Sequence, residues 1–144
     1  MTFMIIMRRS ADYATLLRDL AGKKVAIWTC NTCARLCNGI GGKDSAEALA
    51  ERLASDGVEV TGVLSTSASC IVPKVESKYD PAVIDGCDVI LSLTCDVGAS
   101  CAEEVFGRPS INPIETLGPG YLDGNMMPIL SDGRVVMMGC DPFV

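Results

Sequence analysis

The chain contains no histidine at any of its 144 positions. That absence removes zinc sites of mixed cysteine and histidine ligation, histidine-paired serine or cysteine nucleophiles, and the commonest general base. Ordinary hydrolytic chemistry loses most of its parts. Aromatic residues are also scarce, at 5%, and a chain dominated by small and aliphatic residues suits packed βα units better than an aromatic-rich sandwich. Positive charge is sparse: 12 Lys and Arg stand against 18 Asp and Glu, a net charge of −6. No basic cluster offers the dense face that neutralises successive phosphates, so nucleic acid is not an expected partner. No apolar run approaches the roughly 20 residues a membrane helix needs. Residues 1–7 are apolar but too short to span, and Arg8 and Arg9 follow them where a secretion signal would place charge first. A cytoplasmic protein without a membrane span is expected.

Against these absences stand eight cysteines. Such density means either a disulfide framework in a secreted protein or metal ligation in a reduced compartment, and without a secretion signal metal is favoured. The length, the 49% hydrophobic fraction and the mean hydropathy of +0.32 supply one core and one domain. Residues 1–22 are expected as a leading helical segment and residues 23–144 as the core.

Hydrophobic periodicity predicts a helix over residues 10–20, with Ser10 as its N-cap. Residues 25–28 form a continuous apolar run of the kind buried on both faces of a parallel sheet. A crossover helix follows from Asp44 or Ser45 to Gly57, and a β-branched strand over residues 58–64 completes a right-handed βαβ unit. A short helix near Pro81, a third buried strand over residues 88–93, a helix over 97–106 and an edge strand over 108–114 come next. Residues 116–124 read as a Gly- and Pro-rich loop, and residues 127–130 with 134–138 as a hairpin. The fold class is α/β: a small Rossmann- or flavodoxin-like open sheet, mostly parallel, of about four strands with flanking helices and a C-terminal hairpin.

In such sheets ligands bind outside the carboxyl ends of the strands. Cys30 ends the first strand, Cys70 follows the second after a short loop, and Cys95 ends the third. With the first strand between the other two, all three converge. Cys30, Cys33 and Cys37, spaced C-x2-C-x3-C, point three thiolates inward from one loop, and a fourth from a neighbouring strand completes a [4Fe–4S] site. Cys70 is the choice for that fourth ligand, Cys95 its competitor, and Cys101 a partner for Cys95 in a second site. An all-thiolate zinc site is the alternative for the same residues. Gly39, Gly41 and Gly42 would either donate backbone N–H groups to cluster sulfurs or simply form a tight strand-to-helix turn. Cys87 reads as a packed residue, and Cys140 as a ligand, a free thiol or part of an interface. Trp28 is core or a shield for the cluster. Met126, Met127, Met137 and Met138 are core or an adaptable docking surface. The run 39–42 lacks the order of either common phosphate loop.

The cysteine motif, the Gly-Gly turn, Cys70, the strand ending Ser92-Leu93-Thr94-Cys95 and the stretch Ile111-Asn112-Pro113-Ile114-Glu115-Thr116-Leu117-Gly118 together resemble a known family. It is the small cysteine-rich, MetV-type subunit of methylenetetrahydrofolate reductase, also called the methylenetetrahydrofolate reductase C-terminal domain, and the likeness covers roughly residues 24–140. The resemblance implies Cys30, Cys33, Cys37, Cys70 and Cys95 as metal residues. It also implies a flavin-bearing catalytic partner that reduces methylenetetrahydrofolate in anaerobic one-carbon metabolism, and a separate electron donor protein. Longer members continue into a ferredoxin-like segment, so fewer clusters are expected here. The chain would then relay electrons and leave substrate chemistry to its partner; a zinc-stabilised assembly module docking a reductase or methyltransferase subunit is the other reading.

Overall fold

The computed structural model describes residues 3–136 and 138–143. The chain opens with strand β1 (Phe3–Arg9) and helix α1 (Tyr13–Leu20). Strand β2 (Lys24–Cys30) leads through a single helical turn, α2 (Cys33–Leu36), into helix α3 (Lys43–Ser55) and strand β3 (Glu59–Thr66). Two short helices, α4 (Val72–Glu76) and α5 (Pro81–Ile84), precede strand β4 (Val89–Leu93), helix α6 (Asp96–Phe106) and strand β5 (Ser110–Ile111). Strands β6 (Ile114–Leu122) and β7 (Pro128–Leu130) follow.

The expected open sheet is present: four strands, all parallel, in the order β3-β2-β4-β5. The central pair explains why. Every residue of β4 is buried, as is every residue of β2 except Lys24, which is the environment that continuous apolar runs require. Alternate residues of β2 divide between two cores. Val25 and Ile27 pack with Leu49 and Leu53 of α3 and with β1 on one face, while Ala26 and Trp28 pack with Val83, Ile84 and Phe106 on the other. Register aligns the carboxyl ends: Cys30 lies beside Thr66 of β3, and Thr29 beside Leu93 of β4.

The chain's other sheet departs from the expectation. Residues 3–9 are a strand, not part of a leading helix, and they pair antiparallel with β6 from Phe3↔Tyr121 to Arg9↔Ile114. Helix α1 therefore begins later than Ser10; its cap is Asp12, whose carboxylate accepts the Thr15 N–H at 2.8 Å. The expected loop over 116–124 is mostly β6. Glycine and proline mask that strand, but Gly120 is needed there: a Cβ would lie 2.2 Å from Ile129 O and 2.7 Å from Ile6. Only a bare backbone lets β1, β6 and β7 approach so closely. The edge strand expected over 108–114 reduces to β5. The C-terminal hairpin reduces to one bridge, Ile129↔Val135, because β7 takes β6 as its main partner. Met137 lies outside the described residues.

Candidate metal centre

Cys30, Cys33, Cys70 and Cys95 line one cavity of about 220 Å³ at the carboxyl edge of the parallel sheet. Each reaches it by a different local device. Cys30 is the last residue of β2. Cys33 opens the turn α2, with only two residues between it and the end of β2. Cys70 ends the loop after β3, and that loop is folded over the end of β2: Asn31 N–H donates to Thr66 O at 2.8 Å, and the Thr32 hydroxyl donates to Ser67 O. Cys95 is the residue before α6, and the start of that helix is tied to β6 by Asp96 N–H donating to Thr116 Oγ1 at 2.9 Å and to the segment before β6 by Asn112 donating to the Asp96 carboxylate at 3.2 Å. The residues of the Asn-Pro…Thr stretch thus anchor one wall of the site.

Two glycines decide how tightly these pieces close. A Cβ on Gly98 would stand 2.2 Å from Ser69 Oγ and 3.0 Å from Ser69 Cβ, so the first turn of α6 meets the Cys70 loop only because residue 98 has no side chain. Gly41 packs equally hard elsewhere: its Cβ would lie 2.7 Å from both Ala34 Cβ and Leu93 O. Neither Gly39, Gly41 nor Gly42 borders the cavity. Gly42 N–H donates to Thr29 Oγ1 at 2.7 Å, so the reading of these three as donors to a cofactor gives way to a tight turn. The glycine that acts at the site is Gly98, signalled in the sequence only by a small residue in the first turn of the helix after Cys95.

The electrostatics are those of thiols crowded in an apolar enclosure. Burial pushes the Cys33 thiol up, reinforced by the neighbouring Cys30 and Cys70, while the Ile5 N–H, 3.4 Å from Cys33 Sγ, works in the opposite direction. Burial also raises Cys95, opposed by the Gly98 and Val97 amides at the start of α6. Backbone N–H groups aimed at sulfur are the donors that stabilise thiolate ligands and tune what they bind. Ile5 supplies one of them from β1.

Cys37 is not at the cavity. In a helix, four residues advance about 6 Å, close to the ~6.7 Å covered by two residues of a strand. Cys33 and Cys37 accordingly meet β1 two residues apart: Cys33 accepts from Ile5 N–H, and the Cys37 thiol donates to Met7 O at 3.2 Å. Of the C-x2-C-x3-C motif, Cys30 and Cys33 line the cavity and Cys37 does not. Cys37 instead adjoins Cys140, whose thiol is pushed up by its bond to Cys37 and by burial. Cys101 sits in a separate cleft with Val72 and Glu76. Cys87 is buried, and its thiol donates to Ile84 O at 3.1 Å. Trp28 meets Phe106 edge-on at 5.2 Å in the core on the other side of the sheet, so it does not shield the cavity. Met126 and Met138 are exposed, not core.

Among the described residues, no three His, Cys, Asp or Glu side chains converge closely enough to hold a single metal ion; the four cavity thiols surround a void. An all-sulfur donor set fits iron-sulfur or zinc chemistry and disfavours hard cations. Among the described residues no helix is long and apolar enough to cross a membrane. Comparison of the chain with protein families, curated proteins and solved structures finds no match.

Proposed function

We propose that the chain binds a [4Fe–4S] cluster through Cys30, Cys33, Cys70 and Cys95 and serves as an electron-transfer subunit for a flavin-bearing reductase. The observation that carries this reading is that four cysteines, from one strand end, one helical turn and two segments just past strand ends, line a single cavity of about 220 Å³. That volume lies below the roughly 300–1,000 Å³ of ordinary small-molecule pockets. Zinc draws its thiolates to ~2.3 Å from one ion, whereas among the described residues no three ligands converge on a single-ion point and the four cysteines share a cavity, which favours a polynuclear group. The competition between Cys70 and Cys95 for the fourth position resolves in this reading: both are ligands, and Cys37 is not.

A bound cluster would supply one-electron transfer. The chain's own residues hold and shield it. Ile5 and the start of α6 direct N–H groups at Cys33 and Cys95, favouring their thiolate forms. Apolar Ile5 and Ala34 exclude water, and the exposed Cys70 marks the thinnest wall. The resemblance to the methylenetetrahydrofolate reductase small subunit supports a flavoprotein partner acting on that one-carbon carrier, with a cytoplasmic site of action.

Anaerobic purification followed by iron, sulfide, zinc and visible-absorbance analysis tests the proposal. Iron and sulfide in equal amount are expected, with the spectrum lost in Cys33→Ala and retained in Cys37→Ser and Cys87→Ala. Stoichiometric zinc without iron would instead favour the assembly-module reading. Co-expression with a flavin-bearing methylenetetrahydrofolate reductase should yield a complex whose flavin is reduced through this subunit; a cluster-loaded chain that neither binds nor reduces it would refute the partner.

A further inference from the structure

Cys37 and Cys140 are separated by 103 residues yet meet in the interior, beside the cysteine cavity but outside it. Cys37 closes α2 against β1. Cys140 arrives on the C-terminal segment, its sulfur 3.3 Å from Cys37 O. The segment that carries it is fixed along its length. Arg9 N–H donates to Gly139 O at 2.7 Å, the Arg9 guanidinium donates to Asp141 at 2.7 Å, and the Asn38 amide donates to Cys140 O at 2.9 Å. These contacts hold the two backbones beside each other, with the Cys140 sulfur already lying against Cys37. A cavity of about 240 Å³, bordered by Asn38, Met126, Met138 and Cys140, opens on one side of the pair. It exposes the Cys140 side of the pair to a small reagent and leaves Cys37 fully buried behind it.

We propose that Cys37 and Cys140 form a reversible disulfide by exchange with a low-molecular-weight disulfide admitted through this cavity. The Cys140 sulfur attacks one sulfur of the small disulfide as its proton passes to the departing small thiolate; the S–S bond breaks, a mixed disulfide forms and one small thiol leaves. The Cys37 thiolate then attacks the Cys140 sulfur, the protein disulfide forms, and the second small thiolate leaves. Two electrons pass from the protein pair to the reagent, and the two protons end on the released thiols. The link would fasten the C-terminal segment to α2, the turn that begins at Cys33. It is independent of the metal reading, since neither cysteine lines the metal cavity.

Cystamine is the probe. Protein prepared without oxygen, with its metal content measured, is incubated with cystamine; free thiols are alkylated and peptides are mapped without reduction. The expected product joins Cys37 to Cys140, raises the thermal midpoint by about 5 °C or more, and disappears with dithiothreitol. In Cys37→Ser, cysteamine should remain on Cys140 as a mixed disulfide and the midpoint should not rise. A Cys140 that stays free in the unaltered protein overturns the proposal, as does Cys37 linked to any other cysteine. Loss of bound metal in Cys37→Ser would overturn it too, by making Cys37 a ligand. Protein that binds no cluster but yields the Cys37–Cys140 link would sink the metal reading alone.

Discussion

The parallel and antiparallel sheets contribute to the candidate site in different ways. Strands β2, β3 and β4 are neighbours through short crossovers, and their aligned ends deliver Cys30, the Cys70 loop and Cys95 to one edge. Strand β1 is paired with a segment at the far end of the chain, Phe3 with Tyr121, and it delivers no cysteine. It supplies a wall: Ile5 N–H for Cys33 and Met7 O for Cys37. Ligands thus come from local topology, and their enclosure comes from a long-range pairing.

Core truncation gives the strongest test of this division. Ile6 in β1 and Ile27 in β2 are both completely buried in the same core, so Ile6→Ala and Ile27→Ala should each cost about 2–5 kcal/mol in urea unfolding. A single transition is expected in both variants; two transitions in Ile6→Ala would show that the sheets unfold separately and that the wall is dispensable to the ligand edge. The two close-approach glycines sharpen the contrast. Gly98→Ala and Gly120→Ala should each cost about 1–3 kcal/mol through overpacking. Gly98→Ala should also lower metal content per folded protein by displacing the Cys70 loop, whereas Gly120→Ala should lower stability and leave metal content nearly intact. Equal metal loss in both would erase the distinction. The smallest effect is expected in the C-terminal segment, where Met138→Ser replaces a side chain that is 81% exposed and should change stability by no more than about 0.5 kcal/mol.

The parallel half was legible in the sequence because its signals are local. Apolar runs of strand length, a helix ending in Asp56-Gly57 and cysteines just past each strand are read within windows of a dozen residues. They suffice to predict the strands and to put Cys30, Cys70 and Cys95 at or just past their ends; that β2 lies between β3 and β4, which brings the three together, is seen in the structure. The antiparallel half was not legible, because β1 and β6 become strands only through each other, and Gly118, Pro119 and Gly120 disguise β6 as a loop. Cys37 was misplaced for a related reason. Its spacing from Cys33 suits either one ligand loop or one helical turn, and only the position of β1 distinguishes them. Gly98 escaped notice because its role lies in what it lacks beside Ser69.

One buried hydroxyl has a mechanical consequence for all of this. Thr29 Oγ1 donates to Leu93 O at 2.9 Å and accepts from Gly42 N–H at 2.7 Å, clasping the tips of β2 and β4 and the threshold of α3 in one joint. Cys30 is the next residue along one strand, and Cys95 is two beyond the other. Their spacing is therefore geared to that joint: breathing of the sheet should carry both thiols together, so the gap they span keeps its width while the rest of the molecule flexes.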